Sequence, residues 1–345
     1  MINIISNSYL SRHISGPKKV ARNLIKGLDL IGYPYVVNRR LDACKRLWIH
    51  DDLRALEQIH RLGPEIKIIV GPNLVVLPRH LPPDVDFSRV VYLVPSHWTK
   101  AFWEDFGLRA CPIEVWPTGI DTNEFIPLQG DKAEVLVYFK QRLPDELAYA
   151  EQLLQQKRIH YRVLRYPGYS EENYKQLLSK ARYMFWIGRQ ESQGIALQEA
   201  MSCDVPILVW DVTHMGHWLG GEREMKTLFN EAENNYANAT SAEYFDETCG
   251  VKVKDRQELS DSVNRMESQW QRFRPRKYVL DHLSLDKQAR DFIEFYLKHF
   301  GLTFEQGMTE HFFHKGPWIN STLSAHLNSL FIEARTIASR LVRRI

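Results

Sequence analysis

Short apolar runs alternate with amphipathic segments along most of this chain. Runs at 2–5, 47–50, 66–70, 90–94 and 113–116 read as buried strands, and a second series follows at 135–139, 161–166, 183–187 and 207–210. Between them, apolar residues recur at helical spacing. Val20, Leu24, Leu28 and Ile31 share one face of a helix over 17–31. Further helices are expected at 97–106, 146–157, 171–180 and 256–267, with one more from 285 to 300. Such alternation implies parallel sheets covered by helices on both faces. Two series imply two Rossmann-like, doubly wound α/β domains, with the turn-rich segment 118–127 between them. The expected division is 1–120, 121–285, and C-terminal helices over 286–345 that pack back on the first domain.

At 345 residues the chain is long enough for two ordinary cores, and 44% hydrophobic with 25% charged residues is the balance of a soluble globular protein. A net charge of +3, spread along the chain, gives no ground for a nucleic-acid partner. Cys44, Cys111, Cys203 and Cys249 form no CxxC and no metal-ligand spacing, so they read as buried thiols in a reducing compartment. Residues 1–5 lack the features of a signal peptide, and no apolar run approaches the ~18 residues that span a bilayer. The expected location is the cytoplasm. Nine Trp suit either sugar-stacking faces or an aromatic core.

The chemistry concentrates in Glu191-Ser-Gln-Gly-Ile-Ala-Leu-Gln-Glu199. Gly194 lets the backbone approach a ligand, and the helix behind it aims free N–H groups there, as an anion site requires. Glu191 before that helix and Glu199 within it can both accept from hydroxyls. Ligands of open α/β sheets bind at the carboxyl ends of strands. There stand Lys140 and Arg142, either neutralising a diphosphate or forming a solvated pair, and Tyr166-Pro-Gly-Tyr169, either a base-binding loop or a plain turn. In the first domain Ser15 caps a helix whose Gly16 admits a phosphate or sugar, or simply turns the chain. Asn73, after a buried strand, contacts a sugar or shapes a turn, and His97, next to the cap Ser96, reads as structural. Segment 211–248 is long and turn-rich, as befits a loop beside a site. Apolar and basic residues interleave over 334–345, suiting a helix packed on the first domain or a peripheral contact with a membrane.

The block 191–206 resembles the E-x7-E signature of retaining glycosyltransferases with the GT-B fold, family-four type (glycosyl transferases group 1). Val94-Pro-Ser-His-Trp-Thr-Lys100, the linker Val115-Trp-Pro-Thr-Gly-Ile-Asp-Thr-Asn-Glu-Phe-Ile-Pro127 and Tyr244-Phe-Asp-Glu-Thr-Cys-Gly250 resemble other blocks of that family in the same order, over residues 1–300. The resemblance implies two domains facing across a cleft. It implies a nucleotide-sugar donor, a glycan or lipid-linked acceptor, no metal cofactor, and a place in polysaccharide or glycoconjugate synthesis. By it Glu191 contacts sugar hydroxyls, Glu199 the ribose diol, and the amides of Ser192, Gln193, Gly194 and Ile195 the sugar and diphosphate. Lys140 and Arg142 stand where the family has its diphosphate-binding Arg/Lys pair, although Gly-Arg…Lys-Gly is absent. The first loop has one glycine where many members have two, and 211–248 lacks the usual Gly-Gly-x-x-Glu block. A nucleotide-sugar epimerase on the same fold, or a non-catalytic nucleotide- or glycan-binding protein, are the competing readings.

Overall fold

The computed structural model describes residues 1–12, 15–128, 130–218 and 229–302. Internal contacts divide the chain into one unit of Met1–Leu93, Ala110–Pro112 and Arg290–Ile345, and a second of Val94–Arg109 and Ile113–Ala289. This division falls earlier than the linker at 118–127, and places 94–109 with the second unit.

The first sheet contains β1 (Ile2–Ile5), β2 (Tyr35–Val37), β3 (Arg46–Ile49), β4 (Lys67–Val70), β5 (Val90–Val94) and β6 (Ile113–Val115) in the order β2-β1-β3-β4-β5-β6. Its pairs from β2 to β5 run parallel. Helix α1 (Gly16–Leu30) starts where the sequence says it should: Ser15 accepts from the Lys18 N–H at 3.3 Å and Pro17 sits in the first turn. It buries Val20, Ala21, Leu24, Ile25 and Leu28, one apolar stripe. Short helix α2 (Leu53–Glu57) follows β3, and α3 (His97–Asp105) follows β5 under a Ser96/Thr99 capping box.

The second sheet has the order β11-β10-β9-β7-β8, all parallel, from β7 (Glu134–Lys140), β8 (Tyr161–Arg165), β9 (Ala181–Gly188), β10 (Ile207–Trp210) and β11 (Gly250–Val253). Its helices are α4 (Pro144–Gln156), α5 (Glu171–Lys180), α6 (Ile195–Ser202), α7 (Glu231–Asn234), α8 (Leu259–Gln269) and α9 (Pro275–His282). Period-two alternation serves two cores. Val135, Val137 and Phe139 join Tyr183, Phe185, Leu208 and α8 residues Leu259 and Val263 on one face. Leu136 and Tyr138 join Met184, Trp186, Ile207, Val209 and α6 residues Leu197, Ala200 and Met201 on the other.

Helix α10 (Leu285–Phe300) ends in the first unit, where Phe292 meets the Trp48 ring edge-on at 5.2 Å and the Tyr296 hydroxyl donates to the Leu47 carbonyl at 2.8 Å. The basic segment 334–345 lies outside the described residues. No helix among the described residues is long and apolar enough to cross a membrane. The cysteines are free thiols, with Cys44, Cys203 and Cys249 buried and Cys111 half-buried.

Candidate functional site

Four neighbouring strands of the second unit end together, and the expected donor residues stand at those ends. Lys140 closes β7 on the face that carries Tyr138 and that α6 covers. Glu191 follows β9 by three residues, its N–H donating to the Thr240 carbonyl at 3.0 Å. The Lys140 ammonium lies 2.5 Å from the Glu191 carboxylate, and the two side chains are 15% and 14% exposed, enough to meet a ligand without leaving the protein. The same ammonium sits 4.6 Å above the Tyr166 ring, which is itself exposed just after β8. Lys140, Glu191 and Tyr166 therefore form one cluster.

Gly194 is the N-cap of α6 with φ +83°, a left-handed backbone that favours glycine over any residue with a Cβ. Space is not the reason, because a Cβ there would meet the Ser241 carbonyl only at an ordinary 3.6 Å. The turn it makes turns the first N–H groups of α6, at Ile195 and after, toward the strand ends. Ser192 lies in that turn. Gln193 has a different use for its side chain: its amide accepts from Thr118 N–H at 2.9 Å and donates to the Thr118 carbonyl at 2.8 Å and to Gln198 at 2.9 Å. Gln193 is thus buried in a strut that fixes the turn. Glu199 is buried on α6, close enough to the Tyr169 and Tyr174 phenols to raise both. Burial is the larger cause, and it pushes Tyr169 up to about 12, so its hydroxyl stays protonated. The Tyr138 and Tyr169 hydroxyls are hydrogen-bonded at 2.6 Å.

Arg142 is placed otherwise than expected. Its guanidinium is fully buried, with Nε and Nη2 paired to Glu146 and Nη1 donating to the Gly188 and Trp210 carbonyls at 3.1 and 3.0 Å. Its donors are spent on tying the ends of β9 and β10 to α4, so it corrects to a structural residue and cannot reach a diphosphate without unmaking that tie. His217 joins the group: Thr213 N–H donates to its Nδ1 at 3.1 Å, which leaves Nε2–H to donate to Glu146 at 3.0 Å.

Three side chains at this edge went unread in the sequence. Arg189 follows β9 directly, its main-chain N–H donating to the Lys140 carbonyl at 2.9 Å and its guanidinium lying 5.0 Å over the Trp218 ring. Trp186 stacks on Tyr138 at 4.5 Å and turns its indole N–H toward Gly188, where any Cβ would meet that nitrogen at 2.5 Å. Among the described residues, Trp186 Nε1, Arg189 Nε and Gln190 Oε1 are buried without a hydrogen-bond partner. Each such atom carries a desolvation cost.

In the first unit, Gly16 and Asn73 come to one edge. Gly16 opens α1 in open space, and the next residue, Pro17, lends its carbonyl to His50 Nε2 at 3.0 Å. His50 directly follows β3, and its own carbonyl accepts from Asn73 N–H at 3.2 Å. Burial holds the fully buried His50 below the ordinary imidazole range, so it is neutral. Asp51 accepts from the N–H groups of Asn7 and Ser8 at 2.7 and 2.9 Å. Among the described residues the buried Asn73 side-chain oxygen has no hydrogen-bond partner. His97 keeps its structural place, its N–H donating to Glu243 at 3.0 Å. Among the described residues no cluster of His, Cys, Asp and Glu could hold a metal ion.

No family model and no curated protein sequence matches this chain. Solved structures do. Sucrose-phosphate synthase from Thermosynechococcus elongatus superposes with a TM-score of 0.56 at 13% identity, over 88% of this chain and 99% of that one. The catalytic domain of starch synthase IV from Arabidopsis thaliana, bound to ADP and acarbose, gives 0.52 at 10% identity, over 86% and 98%. HepE from Anabaena in complex with UDP gives 0.51 at 13% identity, over 86% and 99%. At such identities the likeness establishes architecture: two parallel-sheet α/β domains of the GT-B fold.

Proposed function

We propose that this chain is a retaining glycosyltransferase of the family-four type, which moves a sugar from a nucleoside diphosphate sugar to an acceptor hydroxyl. The observation that carries the proposal is the Lys140–Glu191 pair beside the N-terminus of α6, at the carboxyl ends of adjacent strands in a GT-B fold. A cation and a carboxylate side by side suit a ligand with a diphosphate next to hydroxyls. In this reading Lys140 and the α6 amides take the diphosphate and stabilise the charge that grows as it leaves. Glu191 exchanges the lysine for sugar hydroxyls, Glu199 takes the ribose diol, and Tyr166 lies against the base. The leaving phosphate oxygen accepts the acceptor's proton, because among the described residues no carboxylate is identified to act as nucleophile on the far face of the sugar. Similar solved structures support the donor class: HepE was solved with UDP and starch synthase IV with ADP and acarbose.

Gly16 and Asn73 belong to the acceptor half in this proposal, and the acceptor is a glycan or lipid-linked hydroxyl of polysaccharide or glycoconjugate synthesis. The proposed setting is the cytoplasm, with peripheral membrane contact through the basic segment 334–345.

Lys140 supplies the positive charge that the departing diphosphate needs, so turnover is expected to persist in excess EDTA within about twofold of the untreated rate. Loss of turnover that Mg²⁺ or Mn²⁺ restores would contradict this assignment of charge. Screening nucleoside diphosphate sugars by thermal shift identifies the donor, since a ligand at 100 times its Kd stabilises the native state by about 2.7 kcal/mol.

A further inference from the structure

Glu191 is held by more than its ion pair. Its N–H donates to the Thr240 carbonyl at 3.0 Å, and its carbonyl accepts from the Trp98 indole N–H at 3.1 Å. Both main-chain polar groups are thus tied to segments remote in sequence. Behind the Thr240 segment stands Asp211, fully buried just past β10. One of its oxygens accepts from Val212 N–H at 2.9 Å, Ser241 N–H at 2.6 Å and the Ser241 hydroxyl at 2.9 Å. The other accepts from the Thr240 hydroxyl at 2.7 Å and lies 3.6 Å from the Lys252 ammonium. Lys252 in turn donates to the Thr240 hydroxyl and to the Ala242 carbonyl, at 3.0 and 2.8 Å. A buried carboxylate that accepts four hydrogen bonds and faces a cation has one stable arrangement, and the loop takes its shape from it.

On the other side, Trp98 stands on α3, whose start is fixed by the Ser96/Thr99 box, by Glu243 accepting from His97 N–H, and by the Tyr244 hydroxyl donating to the Pro95 carbonyl at 2.5 Å. We infer that Asp211 and Trp98 are positioning residues for Glu191, clamping its main chain from two sides so that its carboxylate meets the donor sugar at a fixed angle. The inference rests on the reading of Glu191 as the sugar clamp.

Asp211→Asn replaces the oxygen that receives the Thr240 hydroxyl by an NH2 group facing Lys252, so the 240–242 loop loses its anchor. Trp98→Phe keeps a ring on α3 and removes only the N–H donor. In the ¹⁵N-labelled full chain without ligand, Trp98→Phe deletes one of nine indole signals and so assigns it. Asp211→Asn is expected to move that signal toward the position of an unbonded indole. In turnover each variant is expected to lower kcat about 100-fold, the scale of a small misplacement at a reacting centre. Affinity for UDP or ADP, whichever the wild type binds, stays within about twofold because neither carries the sugar. A folded Asp211→Asn protein with the Trp98 signal unmoved, or Trp98→Phe with wild-type kcat, overturns the inference. Should Asp211→Asn fail to fold, the Trp98→Phe kcat decides. If Glu191→Ala itself kept wild-type turnover, the sugar-clamp reading would fall, whereas the indole signal would still decide whether Asp211 and Trp98 are linked through this loop.

Discussion

Lys140→Ala is expected to lower kcat by about 100- to 1,000-fold with the fold preserved, the loss seen when one preorganised donor to a developing negative charge is removed. The lysine sits at the end of β7 and makes its ion pair at the strand edge, so the cores on both faces of the sheet do not depend on it. In the proposed mechanism its removal takes away the charge that stabilises the departing diphosphate. Lys140→Arg keeps charge but replaces a point cation by a planar fork that lies differently over the Tyr166 ring, so partial recovery is expected. Initial rates with the identified donor, beside circular dichroism of each variant, check this. A folded Lys140→Ala protein with near-normal turnover would sink the assignment.

The second large effect is on stability. Burial alone would raise the Glu146 carboxyl, but hydrogen bonds from His217 and Arg142 outweigh it and bring the group down to about 2 from its ordinary 4.5. A carboxyl depressed in the folded state binds fewer protons there than in the unfolded chain. Its stabilisation is therefore fully present above pH 4.5 and is lost as pH falls toward 2, and it amounts to about 3 kcal/mol at neutral pH. Glu146→Gln gives up that term and leaves the Arg142 guanidinium buried without a counter-charge, so the expected destabilisation at pH 7 is about 3–5 kcal/mol. Urea unfolding of both proteins across pH checks it: the gap narrows below pH 4.5 as the wild type loses its advantage. A gap that stays constant down to pH 2.5, or a variant as stable as wild type at pH 7, would show that the Arg142–Glu146–His217 group does not hold α4 to the strand ends.

The alternation of apolar strands and striped helices was enough to read two parallel α/β units, because burial on both faces leaves an unmistakable apolar run. Strands β1, β5 and β10 run over the same residues that the pattern marks. Strand β2 escaped because it is three residues long and half-buried throughout. Strand β11 escaped because Gly250 opens it and exposed Lys252 interrupts its apolar character. The positions of Lys140 and Glu191 at strand ends, and of Gly194 before a helix, were legible from the sequence. Arg142 was misread although Glu146 stood one helical turn away: a cation after a strand looks the same whether it meets solvent or a carboxylate. The links of Trp98 and Asp211 to the Glu191 loop could not be read from the sequence. Trp98 finds the Glu191 carbonyl across a separation of 93 residues and Asp211 finds Thr240 across 29, and only the folded chain brings those groups together.

The central claim is sugar transfer from a nucleoside diphosphate donor at the Lys140–Glu191 site. The donor identified by thermal shift should be incubated with glycan and lipid-linked acceptors, following the nucleoside diphosphate by ³¹P NMR and the anomeric proton of the product by ¹H NMR. The expected result is nucleoside diphosphate released in step with an acceptor-dependent glycoside of the donor's own anomeric configuration, and neither product from Glu191→Ala. An inverted product would contradict the retaining mechanism. Free nucleotide released with no glycoside formed would contradict transfer itself, as would folded wild-type protein that binds and turns over no donor in the panel.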